Sequence, residues 1–206
     1  MNLRDLIWPV LEPLSDVAAA QDAARYAQDL ETIRAATPSE DLDTLVEEAR
    51  RLADAETDRW KTAEARAKTY LTVAGVLVPI LAGIAPTVFA ANDGLPRPLI
   101  SLLIFMFAGA YLLRGGLWAL RTIRVEAWAQ LDAVEVIEIW GKAGSKAELA
   151  KALLDRVRRN RGAVNAKVSC IKMAHEFWVR ALCVFVVALI VRAVWDPAAA
   201  LLKLLC

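Results

Sequence analysis

The chain has one histidine and three cysteines in 206 residues. Cys170, Cys183 and Cys206 share no metal-ligand spacing, and none has a histidine at ligand spacing in sequence, so no metal site is expected. His175 stands at the approach to the last apolar block and reads as an interfacial polar residue rather than a ligand or a base. There is no phosphate-cradling glycine loop, no HExxH pair, no CxxC and no nucleophile elbow. The apolar blocks lack clustered carboxylates for a proton relay. Together these absences leave no catalytic residue and no cofactor to expect, and the reading is that the chain is not an enzyme. Three spans would give no inverted repeat, which disfavours a coupled transporter. The first 30 residues hold Asp5, Glu12, Asp16, Asp22 and Asp29 and lack an apolar core. No signal peptide is therefore expected, and the first apolar span serves as its own insertion signal.

What the chain does have is hydrophobic length. Fifty-seven percent of its residues are in the hydrophobic class, high for a soluble domain. The excess lies in three blocks near residues 70–92, 98–118 and 177–195. The first span, Thr69–Ala91, holds no ionisable residue over roughly 34 Å of helix. The expected fold is all-α: an integral membrane bundle of three transmembrane helices with cytoplasmic helical segments. Residues 1–68 form a cytoplasmic helical region, 69–120 a two-span hairpin, 121–176 a second cytoplasmic region, and 177–206 the third span with a short outer tail.

The local signals are specific. Leu3, Leu6, Ile7, Val10, Leu14 and Val17 keep helical spacing, interrupted by Pro9 and Pro13, and are expected to pack within the protein. Residues 18–35 read as a polar helix. Ser39 is the expected N-cap of a rod that runs from about residue 40 into the membrane. Gly75, Pro79, Gly83, Thr87 and Ala91 recur every four residues on one face, where another helix can approach closely. Asn92-Asp93-Gly94-Leu95-Pro96 reads as a tight turn. Arg114 interrupts the second apolar run and is expected to snorkel to the head groups, with a pore-lining or ligand-pairing arginine as the alternative. Residues 121–140 read as one amphipathic helix, Ser145–Glu148 as a capping box, and Asp196-Pro197 as the end of the third span.

Net charge is only +1 and no nucleic-acid partner is expected, but the charges are unevenly distributed. Residues 1–68 carry 15 acids against 9 bases, and residues 114–180 carry 13 bases against 7 acids. Lysines and arginines before the first span, after the second and before the third, against Arg97 alone in the hairpin turn, put the N-terminus and central region in the cytoplasm. The basic cluster Arg156, Arg158, Arg159, Arg161, Lys167 and Lys172 has no acid from residue 156 to 175. It has three readings: contact with anionic lipids, pairing with the acidic segment Glu40–Glu48, or capture of an anionic ligand such as a nucleotide.

Glu64-Ala65-Arg66-Ala67, followed by Leu71 and Gly75, resembles the acidic-x-Lys-Ala motif before the first span of bacterial SLATT and Pycsar-effector-type small membrane proteins of anti-phage defence loci. A two-span hairpin, a cytoplasmic helical segment, and Asn165, Lys167 and Lys172 before a last hydrophobic helix complete the likeness, over residues 56–195. Arg66 stands where that motif has lysine, and the first 55 residues lie outside it. The resemblance implies a homo-oligomeric effector that perturbs the bacterial inner membrane after a signal sensed by a soluble partner. A second reading makes the chain a membrane scaffold or sensor whose cytoplasmic helices dock a soluble protein.

Overall fold

The computed structural model describes residues 8–11, 15–38, 40–89, 96–124 and 128–205, with the backbone alone over 84–89, 96–101 and 191–205. Among these residues the chain is all-helical, with five helices: α1 (Asp16–Ala35), α2 (Leu42–Phe89), α3 (Pro96–Ile123), α4 (Ala133–Trp140) and α5 (Ser145–Leu205). Three of them contain stretches long and apolar enough to cross a membrane, within Leu42–Gly83, Leu102–Ile123 and Ser145–Ile190.

The chain divides into two compact units. One comprises Met1–Val10, Arg66–Ile123 and Cys170–Cys206. Its buried side chains are mostly small or aromatic: Ala67, Ala108, Ala119, Ala174 and Ala181 beside Tyr111, Trp118 and Phe177. Trp8 makes an edge contact with Phe177 at 5.3 Å between ring centroids and a tilted one with Tyr111 at 6.0 Å. Trp8 is not part of the apolar stripe expected to pack within the protein; the stripe's two described members, Val10 and Val17, are exposed, and its other members lie outside the described residues.

The other unit comprises Leu11–Ala65 and Arg124–Ser169. Val46, Ala49 and Ala150 are buried together, with Leu45, Leu149, Leu153 and Leu154 packed on them. This is the narrow, partly alanine stripe of the long rod meeting α5, and small residues at the seam let two helices approach. α1 adds little apolar contact. Leu30 is its one buried residue, and Ser15 caps it by accepting from the Ala18 N–H. Ion pairs from Arg34 to Asp155 and from Arg158 to Asp29 tie it to α5.

Four expectations need correction or completion. The start of the rod is capped by Asp41, whose side chain accepts from the Thr44 N–H, while Ser39 lies outside the described residues. The helix then continues through Pro79 and Pro86 to Phe89. Residues 121–140 are not one helix: α3 ends at Ile123, residues 128–132 are non-helical, and α4 begins afresh at Ala133. The cause is local. Asp132 accepts from the Val134 and Glu135 N–H groups, and the Glu135 side chain accepts from the Asp132 N–H, a reciprocal capping box. α5 begins instead with Gly144 O accepting from the Ala147 and Glu148 N–H groups. Finally, Asp196-Pro197 does not end the last helix, which runs on to Leu205. A proline costs one backbone hydrogen bond but does not compel a stop, and the alanines, leucines and lysine that follow are strong helix formers.

Candidate functional site: a buried lysine among tryptophans and carboxylates

The unit of Leu11–Ala65 and Arg124–Ser169 buries polar side chains: Glu56, Asn160 and Lys167. Lys167 on α5 is 2% exposed. Its ammonium donates to Glu64 Oε1 at 2.9 Å and to the Arg124 carbonyl at 3.3 Å, and it lies 3.8 Å from the centre of the Trp60 ring. Trp60 in turn packs at 4.6 Å against Trp128 from the non-helical segment. A buried ammonium is tolerable only with such compensation: a carboxylate, a carbonyl and an aromatic face. Glu64 and Lys167 are 103 residues apart, and both belong to sites expected from sequence. The structure joins them.

Neighbouring contacts fix this arrangement. Asn160, also buried, donates to the Ala129 carbonyl and accepts from the Ala129 N–H, both at 2.9 Å. It thereby holds the non-helical segment in place and replaces the helical bonds that segment forgoes. Arg59 donates to both oxygens of Glu56 and to Asn165 Oδ1. A cavity of about 220 Å³ beside these groups is lined by residues that include Glu56, Thr57, Gln130, Arg156 and Asn160.

The basic cluster is largely neutralised by the chain itself. Arg156 pairs with Glu135, Arg158 with Asp29, and Arg159 with Asp155. Arg158 also stacks over Tyr26 at 5.0 Å. The hydrogen bond from Arg159 to Asp155, and then its charge, hold the Arg159 proton even more tightly than usual. These acids lie outside Glu40–Glu48, where Asp43 pairs with Lys146 and Glu48 with Arg51. Arg161 and Lys172 are exposed.

No family model, curated protein or solved structure matches the chain. The site is therefore read from its own geometry. It holds no group of three or more histidine, cysteine or acidic side chains placed to bind a metal, among the described residues. Its chemistry is that of a structural lock between helices.

In the apolar unit, Ala67 is buried and Arg66 exposed. Tyr70 OH and His175 Nδ1 are hydrogen-bonded at 2.7 Å, and Tyr70 stacks on Trp178 at 5.7 Å. The small-residue face behaves differently from intramolecular packing. Among the described residues a Cβ added at Gly75 or Gly83 would meet nothing within 4 Å, and Pro79 is exposed. The Thr87 side chain and Ala91 lie outside the described residues. Close approach occurs instead at Gly115, where a Cβ would lie 2.9 Å from Trp178 Cδ1. Sequence reasoning overlooked Gly115 because its neighbour on α5 is far away in sequence. It overlooked the stop before α4 although Asp132-x-x-Glu135 is itself a capping-box signature.

Proposed function

We propose that the chain is a non-enzymatic integral protein of the bacterial inner membrane, oligomeric through its spans, that perturbs the membrane as an effector of anti-phage defence. One observation carries the membrane part of this reading. In the apolar windows of the three candidate spans only 6%, 33% and 22% of residues are buried by the chain itself. Exposed Val76, Val78, Ile80, Leu113, Leu182 and Leu189 need a nonaqueous surrounding, since soluble monomers rarely expose such contiguous apolar surface. The effector part rests on the resemblance around Glu64, Arg66 and Ala67. The Lys167–Glu64 contact supports it by joining the two regions that carry that resemblance.

A scaffold reading has its own support. Val134, Ile137 and Trp140 on the short helix α4 are 61%, 71% and 76% exposed, an apolar arc that a soluble partner would cover. The two readings separate on expression. An effector arrests growth and admits a membrane-impermeant dye when activated, whereas a scaffold is harmless when overproduced. Under the membrane reading, the protein stays in membranes through alkaline extraction, a reporter fused at Gly144 reads cytoplasmic, and one fused after Cys206 reads periplasmic. Release of the chain by alkali ends the reading.

Self-association has a separate test. Among the described residues a Cβ added at Gly83 would meet nothing within 4 Å, so Gly83→Leu is expected to leave the described protomer intact. If that face packs against a second copy, the variant loses its oligomer on size-exclusion chromatography in detergent, because the backbones no longer approach. An unchanged elution volume removes the face from the interface.

A further inference from the structure

Most arginines of this chain that the structure pairs are matched with a carboxylate: Arg34, Arg51, Arg59, Arg156, Arg158, Arg159 and Arg180 each have one. Arg114 and Arg121 do not, among the described residues. Both lean on one indole instead, their guanidinium carbons 5.6 Å and 4.7 Å from the centre of the Trp118 ring. Stacking fixes the two cations without neutralising them, and a ring face supplies no lone pair for their N–H groups. Among the described residues, three buried donors here find no acceptor: Arg114 Nε, Trp118 Nε1 and Trp178 Nε1. The Trp178 nitrogen lies 3.1 Å from where a Cβ on Gly115 would be, so all three lie within about one turn of α3. The two guanidinium charges are thus unneutralised here, beside donors that lack acceptors among the described residues.

We propose that Arg114 and Arg121, flanking Trp118, bind the phosphate of an anionic phospholipid. A phosphodiester brings acceptor oxygens and negative charge, and guanidinium forks suit it. The lipid source follows from the rest of the helix: Met106, Phe107, Leu113, Leu117 and Leu120 are exposed apolar side chains on the same α3, a surface for acyl chains. Head group and tails therefore meet matching chemistry along one element. Basic sites beside spans are a recognised place for such lipids. The inference rests on the membrane reading given above.

The test uses full-length protein in detergent and native mass spectrometry, with phosphatidylglycerol and phosphatidylcholine of identical acyl chains. Wild type should retain phosphatidylglycerol in preference to phosphatidylcholine. Arg114→Gln with Arg121→Gln should weaken that retention by about tenfold or more, the size of one lost charge-assisted contact. Arg180→Gln, whose guanidinium is paired with Glu176, should leave it unchanged. Millimolar inorganic phosphate should not displace the lipid. Equal retention of the two lipids, full retention by the glutamine pair, or displacement by free phosphate each overturns the proposal. Should the glutamine pair misfold by circular dichroism, the Arg114→Lys and Arg121→Lys pair decides. It keeps the charges and loses the stacked forks, so it should retain several-fold less lipid. Retention equal to wild type overturns the site. Alkaline extraction judges the membrane reading separately: a chain that stays in membranes yet shows no lipid preference fails only here.

Discussion

Lys167→Ala is expected to destabilise the full chain by about 3 kcal/mol, the lower end for breaking a buried ion pair by removing one partner. The lower end applies because Glu64 keeps 27% of its side chain exposed and regains some water when the ammonium leaves. Two further losses add to the pair. The Arg124 carbonyl loses a donor at 3.3 Å, and the Trp60 face loses its cation. The lysine stem also fills space in a nearly closed site, so truncation leaves a cavity. Lys167→Met separates these causes, since it keeps the stem and removes the charge. It should recover only part of the loss, because Glu64 then faces an apolar group. Adding Glu64→Gln to Lys167→Met should recover most of the rest, as replacing both members of a buried pair is often near neutral. Denaturant unfolding in detergent, followed by tryptophan fluorescence, measures all three. A shift below about 0.5 kcal/mol for Lys167→Ala, the size of an ordinary surface change, would show that the ammonium is not held as described.

The same residue illustrates what sequence pattern reveals and what it hides. Helix existence was legible because it depends on local periodicity, caps and unbroken apolar length. The rod from about residue 40 into the apolar block appears as Leu42–Phe89, and the three apolar helices appear where hydropathy puts them. Lys167 was legible as a charge but not as a buried one. Its partners Trp60 and Glu64 lie more than 100 residues away, and no local period encodes that distance. The break at 128–132 was hidden for a related reason. The apolar spacing of residues 121–140 fits a helix, but the Asn160 amide supplies both backbone bonds of Ala129 from another element. Tertiary partners there override the local preference. The run of arginines had the opposite fate. In sequence it left lipid contact, pairing with Glu40–Glu48 and capture of an anionic ligand open; in the structure Asp29 and Glu135 from elsewhere in the chain, and Asp155 one turn before Arg159, pair with three of its members.

Glycines make the point energetically. Gly75 and Gly83 drew attention by their regular spacing, but among the described residues a Cβ at either would meet nothing within 4 Å, whereas Gly115 is tightly covered. Gly115→Val should therefore destabilise the apolar unit by about 1–3 kcal/mol, the usual cost of overpacking a close contact. A Cβ there would lie 2.9 Å from Trp178 Cδ1, 3.1 Å from its Nε1 and 3.4 Å from the Ala174 carbonyl. The indole does not yield freely, because its other side stacks on Tyr70, which is itself bonded to His175. Gly116→Val is the matched control. It adds the same atoms one residue on, where nothing lies within 4 Å, and should change stability by no more than about 0.5 kcal/mol. Trp178→Ala in the Gly115→Val background should remove the clash and cost less than the two single changes together, a favourable coupling between contacting residues. The measurement is thermal unfolding of the four variants (Gly115→Val, Gly116→Val, Trp178→Ala and the double) in one detergent, with helical content by circular dichroism as the readout. Equal losses at Gly115 and Gly116 would mean that helix propensity, rather than the Trp178 contact, sets the response, and α3 and α5 would then not be in van der Waals contact at this turn.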